Sequence, residues 1–141
     1  MPEQESLDKN ICAANERSCA FDYAVIRIVP RVERSEFINV GVIVFSRELR
    51  FLDARISLDT TRLLALHPNI DSNEIEQHLA LIPKICAGTK DAGPIAELPQ
   101  HERWHWLVSP RSTIIQTSAV HSGLTDNPQE ELEQLMRTFV L

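Results

Sequence analysis

Residues 21–45 read FDYAVIRIVPRVERSEFINVGVIVF. Two apolar runs flank a charged turn opened by Pro30, the pattern of a β-hairpin. In the first run the even positions are Ala24, Ile26 and Ile28, while the odd ones mix Phe21, Tyr23, Val25, Arg27 and Val29. Side chains alternate faces in a strand, so the even side is expected to meet a core. The second run, 37–45, places Ile38, Val40, Val42 and Val44 on one face, and Phe37, Asn39, Gly41, Ile43 and Phe45 on the other. A glycine inside a strand marks a bulge or a close backbone approach. Pro30 ends the first strand because it has no N–H to donate. The turn 30–36, PRVERSE, is long for a hairpin and carries four charges.

Residues 50–56 continue as a third strand, giving an antiparallel meander. With like faces opposed, Arg27 falls near Asn39 and Gly41 near Arg55. A bulge at Gly41 would shift that pairing by one residue.

Downstream the pattern turns helical. Asp59-Thr60 can cap a short helix running to Leu66. Asp71 with Glu74 three residues on makes a capping box. The next helix carries Ile75, Leu79, Ile82, Ile85 and Cys86 on one face, with Pro83 inside it and Gly88 closing it. Residues 99–107 fit a short helix better than the strand that alternating Trp104, Trp106 and Val108 would make. Residues 113–119 read as a fourth strand, ended by His121, Ser122 and Gly123. Asn127-Pro128 opens a C-terminal helix with Leu132, Leu135, Met136 and Phe139 on its apolar face. The expected fold is α+β: one antiparallel sheet of about four strands, packed against helices on one side. Residues 1–19 read as a mobile tail and 20–141 as a single domain.

The 141-residue chain is 43% apolar and carries a net charge of −6. A core can form. A broad electrostatic grip on nucleic acid or anionic lipid is not expected, because such binding needs a basic surface. The longest apolar run, 40–45, is too short to span a bilayer. The polar, acidic start lacks the pattern of a secretory signal. Cys12, Cys19 and Cys86 show no metal-binding spacing, and their odd count argues against a disulfide framework. They read as unpaired thiols of a cytoplasmic protein.

Chemistry-bearing candidates fall in two places. Arg27, Asn39 and Gly41 lie on the mixed face of the meander, with Asp53 and Arg55 beside them. They form either a polar pocket or an ordinary solvated sheet face. The loop Pro110-Arg111-Ser112-Thr113 offers a guanidinium fork beside hydroxyls, suited to a phosphate or carboxylate. It equally suits a turn in which Ser112 bonds its own backbone and Arg111 pairs with one of the chain's many acids. Arg31 and Arg34 could join an anion site there. A Ser112–His121–Asp126 triad lacks the glycine-flanked elbow such a nucleophile needs. His101 and His105 are spaced i, i+4 without a third ligand, so no metal is expected, and the scattered glycines indicate no phosphate-binding cofactor.

Two blocks carry a resemblance. One is Tyr23-x3-Arg27-x-Val29-Pro30 with Glu36-Phe37-x-Asn39-x-Gly41-Val42. The other is Pro110-Arg111-Ser112-Thr113 followed by His121-x-Gly123-Leu124-Thr125 and the last helix. Together they resemble a bacterial family of unknown function, over about residues 21–141. The resemblance implies a small cytoplasmic protein, often encoded beside a kinase-like protein. Two function classes follow. The first is a non-enzymatic accessory module that binds a partner, a kinase-like one among the candidates, through the meander face and the Arg111 loop. The second is an enzyme or sensor for a phosphorylated or nucleotide ligand, with Arg27, Arg111, Ser112 and His121 as an anion pocket and His121 as acid or base. Nucleic-acid binding through Arg31, Arg34 and the tryptophans is disfavoured by the charge.

Overall fold

A computed structural model describes residues 18–141, so nearly all of the expected tail lies outside the described residues. The chain runs β1 (Cys19–Ile28), β2 (Ile38–Ser46), β3 (Phe51–Ile56), α1 (Thr60–Leu66), α2 (Ser72–Ala87), α3 (Gln100–Leu107), β4 (Ile115–Thr117), β5 (His121–Thr125) and α4 (Pro128–Phe139). The helix starts are those the caps require. Asp59, Asp71 and Asn127 each accept from the backbone N–H three residues on, which satisfies one orphan donor of the first turn. Gly88 ends α2 at φ 72°, a left-handed conformation that costs glycine little.

The sheet is antiparallel, in the order β3-β2-β1-β4, and β5 also pairs with β1. The ten-residue β1 therefore has two partners along its outer side: β4 opposite residues 26–28 and β5 opposite residues 19–23. Between them the ladder is carried by Ser118. Its amide donates to Val25 O at 2.8 Å, and Val25 N–H donates to Ser118 Oγ at 2.8 Å. The expectation of four strands thus grows to five, because 121–125 resume pairing after a short irregularity instead of ending the strand.

Helices cover both faces. Ala24, Ile26, Ile28, Ile43, Phe45, Leu52 and Ala54 pack with Leu63, Ile75, Leu79, Ile85, Trp104 and Leu107 of α1–α3. Phe21, Val42 and Val44 pack instead with Leu132, Leu135 and Met136 of α4. The α+β class and single antiparallel sheet stand as expected. The placing of all helices on one side is corrected, since α4 lies on the opposite face. Its apolar stripe marks which residues are buried, not which face of the sheet receives them.

The register departs from simple alternation at one point. Arg27 is opposite Asn39, as expected, but Ile26 is opposite Gly41, so Val40 is the extra residue of a bulge. Gly41 consequently pairs with Ile56, not Arg55, and turns to the α1–α3 side. A Cβ there would lie 2.5 Å from Arg55 O, 2.8 Å from Ile56 Cδ1 and 3.1 Å from Ile26 Cδ1. Its role is close backbone packing.

Cys19 is disulfide-bonded, against the expectation of unpaired thiols. An odd count leaves one cysteine over but does not forbid one bridge. Cys86 is free and buried.

Candidate site at the open end of the sheet

The face under α4 carries Phe21, Tyr23 and Arg27 of β1, Asn39 of β2, and His121 of β5. The Tyr23 ring joins several elements. Its centroid lies 6.1 Å from that of Phe21, 5.4 Å from that of His121 and 6.0 Å from that of Phe139. Pairing of Tyr23 with His121 across β1 and β5 explains the histidine's position. Asn39 Nδ2 donates to Phe139 O at 3.2 Å. That bond ties the last turn of α4, with its partial negative charge, over the same stretch of sheet as Arg27.

Beyond that last turn the face is open. Arg27 Cζ stands 4.1 Å from the ring centroid of Phe37, which is 44% exposed. Arg27 Nε and Asn39 Oδ1 are buried without hydrogen-bond partners. Among the described residues, no hydrogen bond or ion pair uses the Arg27 guanidinium. A cation stacked on an aromatic ring keeps its in-plane donors for a planar acceptor, and this one has none. Arg55, by contrast, pairs with Glu133 of α4, and the Asp53 carboxylate accepts from Ala54 N–H at 2.8 Å.

The second block sits elsewhere. Arg111 donates to Trp106 O at 2.5 Å and Leu107 O at 3.3 Å, and its Cζ lies 4.3 Å from the Trp106 ring centroid. It closes the C-terminus of α3, a helix whose buried Trp104 and Leu107 pack on the other face of the sheet. Arg27, Arg111 and His121 thus each engage a different aromatic ring: Phe37, Trp106 and Tyr23. Ser112 is exposed. Of the residues singled out from the sequence, the structure brings Arg27, Asn39 and His121 to one face. It sets Gly41 on the other face and Arg111 and Ser112 beyond α3.

Two clefts lie outside this face. One, of about 270 Å³, is lined by His101, His105 and Trp104 of α3 with Asp22, Arg47 and Glu48. The other, of about 440 Å³, lies between the hairpin turn and the end of α1, with Arg31, Arg34, Glu36 and His67 on its walls. Its arginines already pair with Glu33 and Glu36. Among the described residues, no group of three His, Cys, Asp or Glu side chains could hold a metal ion. Burial pushes the Cys86 thiol up to about 12, with the Asp53 carboxylate adding to the rise and Arg103 opposing it.

Sequence reasoning missed the parts played by Phe139 and Arg103. Arg103 donates to Ile85 O and Cys86 O at 3.1 and 2.9 Å, closing α2 as Arg111 closes α3. Phe37 had a signal: an aromatic two residues before Asn39, on the side expected to be mixed.

A model for a family described as protein of unknown function (DUF3037) matches residues 23–140. Neither a curated protein nor a solved structure matches the chain.

Proposed function

We propose that this chain, which belongs to the DUF3037 family of proteins of unknown function, is a non-enzymatic module that docks a partner protein on the open end of its sheet. The observation that carries this reading is Arg27, held on the ring of Phe37 and left without an acceptor among the described residues. Arginine and aromatic residues are the side chains most enriched among interface hot spots. Phe37 and Phe139 add exposed apolar surface on either side. A partner carboxylate meeting the in-plane donors of Arg27 would supply the missing acceptor. The resemblance set out above makes a kinase-like protein the first partner to test.

An enzyme or sensor that uses Arg27, Arg111, Ser112 and His121 as one anion pocket is not favoured. The Arg111 guanidinium is committed to the carbonyls of α3. Affinity capture from the native host, with a kinase-like protein co-expressed, tests the docking reading. The parent is expected to retain a stoichiometric partner. Arg27→Ala is expected to lose binding by roughly tenfold or more with its melting temperature unchanged. A parent without a stoichiometric partner, or an Arg27→Ala variant that binds like the parent, overturns the reading.

A further inference from the structure

The face under α4 is only half covered. α4 packs on β2 and β3, where Leu132, Leu135 and Met136 meet Val42 and Val44. One acid fixes it there, Glu133, paired with Arg55 of β3. The strip of the same face formed by β1, β4 and β5 lies beside α4, and among the described residues no other helix packs on it. That strip carries the same kinds of side chain. Phe37 and Phe139 are exposed, the Tyr23 ring is half-buried, and Arg27 stands on the ring of Phe37.

What the strip lacks is the acid. Arg27 is opposite Asn39 on one side and Gln116 on the other. Asn39 is held by its bond to Phe139 O, and Gln116 Nε2 donates to Thr113 O at 2.8 Å. Neither neighbour brings a carboxylate, so among the described residues none serves Arg27 as Glu133 serves Arg55. The space beside α4 has the width of a helix. Neighbouring strands lie about 4.8 Å apart, so a step of two strands moves an axis by about 10 Å, and packed helices stand about 8–10 Å apart. From Tyr23 to Arg27 the strand rises about 13 Å, the length of about nine helical residues. These side chains rise from the face of the sheet. A strand added at an edge would not meet them, whereas a helix laid on the face would.

We infer that the docking surface at Arg27 takes an amphipathic helix of the partner, laid beside α4, with a carboxylate on Arg27 and apolar residues one turn before and after it. The inference rests on the docking reading and narrows it to a partner of stated shape and charge. The carboxylate meets the in-plane donors that stacking on Phe37 leaves free. Residues three or four positions to either side share its helix face, and they fall on Phe37 and on the paired rings of Tyr23 and Phe139.

Fluorescence anisotropy with two labelled peptides tests the inference. Both are alanine- and lysine-based helices of about 20 residues, with leucines four positions before and after a central residue. That residue is glutamate in one peptide and glutamine in the other. The glutamate peptide is expected to bind the parent roughly tenfold tighter. The preference is expected to vanish on Arg27→Ala and to persist on Arg62→Ala, which removes an exposed arginine of α1. The chain's net charge of −6 favours the glutamine peptide, which is more positive, so bulk attraction does not produce the expected order. Equal affinity of the parent for both peptides, or no binding up to about 1 mM, overturns the helical occupant. So does a preference that survives Arg27→Ala or is lost equally on Arg62→Ala. If affinity capture still yields an Arg27-dependent partner, the docking reading outlives that result; without a stoichiometric partner it falls by its own test.

Discussion

The amide of Val25 donates to the hydroxyl of Ser118 at 2.8 Å, across a sequence separation of 93 residues. A side chain here stands where a ladder carbonyl would be, at the irregularity between β4 and β5. Ser118 is buried, and so is Val25. Ser118→Ala leaves a buried N–H unpaired, which costs about 1–3 kcal/mol. Equilibrium urea unfolding should show that loss as a lower midpoint with little change in slope.

Gly41→Ala is expected to be a comparably harsh change. The added carbon would lie 2.5 Å from the Arg55 carbonyl oxygen, and Gly41 itself, on a strand paired along both sides, cannot step aside. Overpacking of this kind costs typically about 1–3 kcal/mol. A thermal scan should show a clear drop in midpoint, while Arg27→Ala, on a half-exposed side chain, should show little.

Gly41 also marks where reading from sequence stopped. The hairpin, the pairing of Arg27 with Asn39, the caps at Asp59, Asp71 and Asn127, and a helix within 99–107 all follow from local patterns, and all are present. The face of Gly41 does not follow. A single unpaired residue, Val40, reverses the alternation, and both candidate faces are apolar enough to hide the change. The position of α4 was illegible for a related reason: an amphipathic helix names its buried side but not its partner. The fate of Arg111 was open because helix-end carbonyls look alike in sequence until the chain brings an arginine to them.

Arg111 and Arg27 can be separated by experiment. Arg111→Ala removes two hydrogen bonds to the last carbonyls of α3 and the stacking on Trp106. A loss of about 1–2 kcal/mol is expected, read by chemical denaturation. Partner capture should be unaffected once the variant is assayed well below its melting temperature.

Cys86 should behave as a thiol sealed in the core. Its titration lies near 12 in the folded chain, against 9.0 for the unperturbed group. Below about 9.0 the thiol is neutral in both states and stability is unaffected. As pH rises from there toward 12, the unfolded chain loses the proton first, so stability falls over that window. Reaction with a thiol-specific reagent at mildly alkaline pH should follow unfolding. Rapid modification of the native protein would contradict this.

β2 has strands on both edges and helices on both faces. Val42 and Val44, with no exposed surface, point into the layer under α4, while Ile43 and Phe45 point into the layer under α1–α3. No local opening short of dismantling the domain brings those backbone amides to water. Their hydrogen-exchange rates should therefore report the global unfolding free energy directly. They provide an internal gauge by which a loss of binding can be told from a loss of fold.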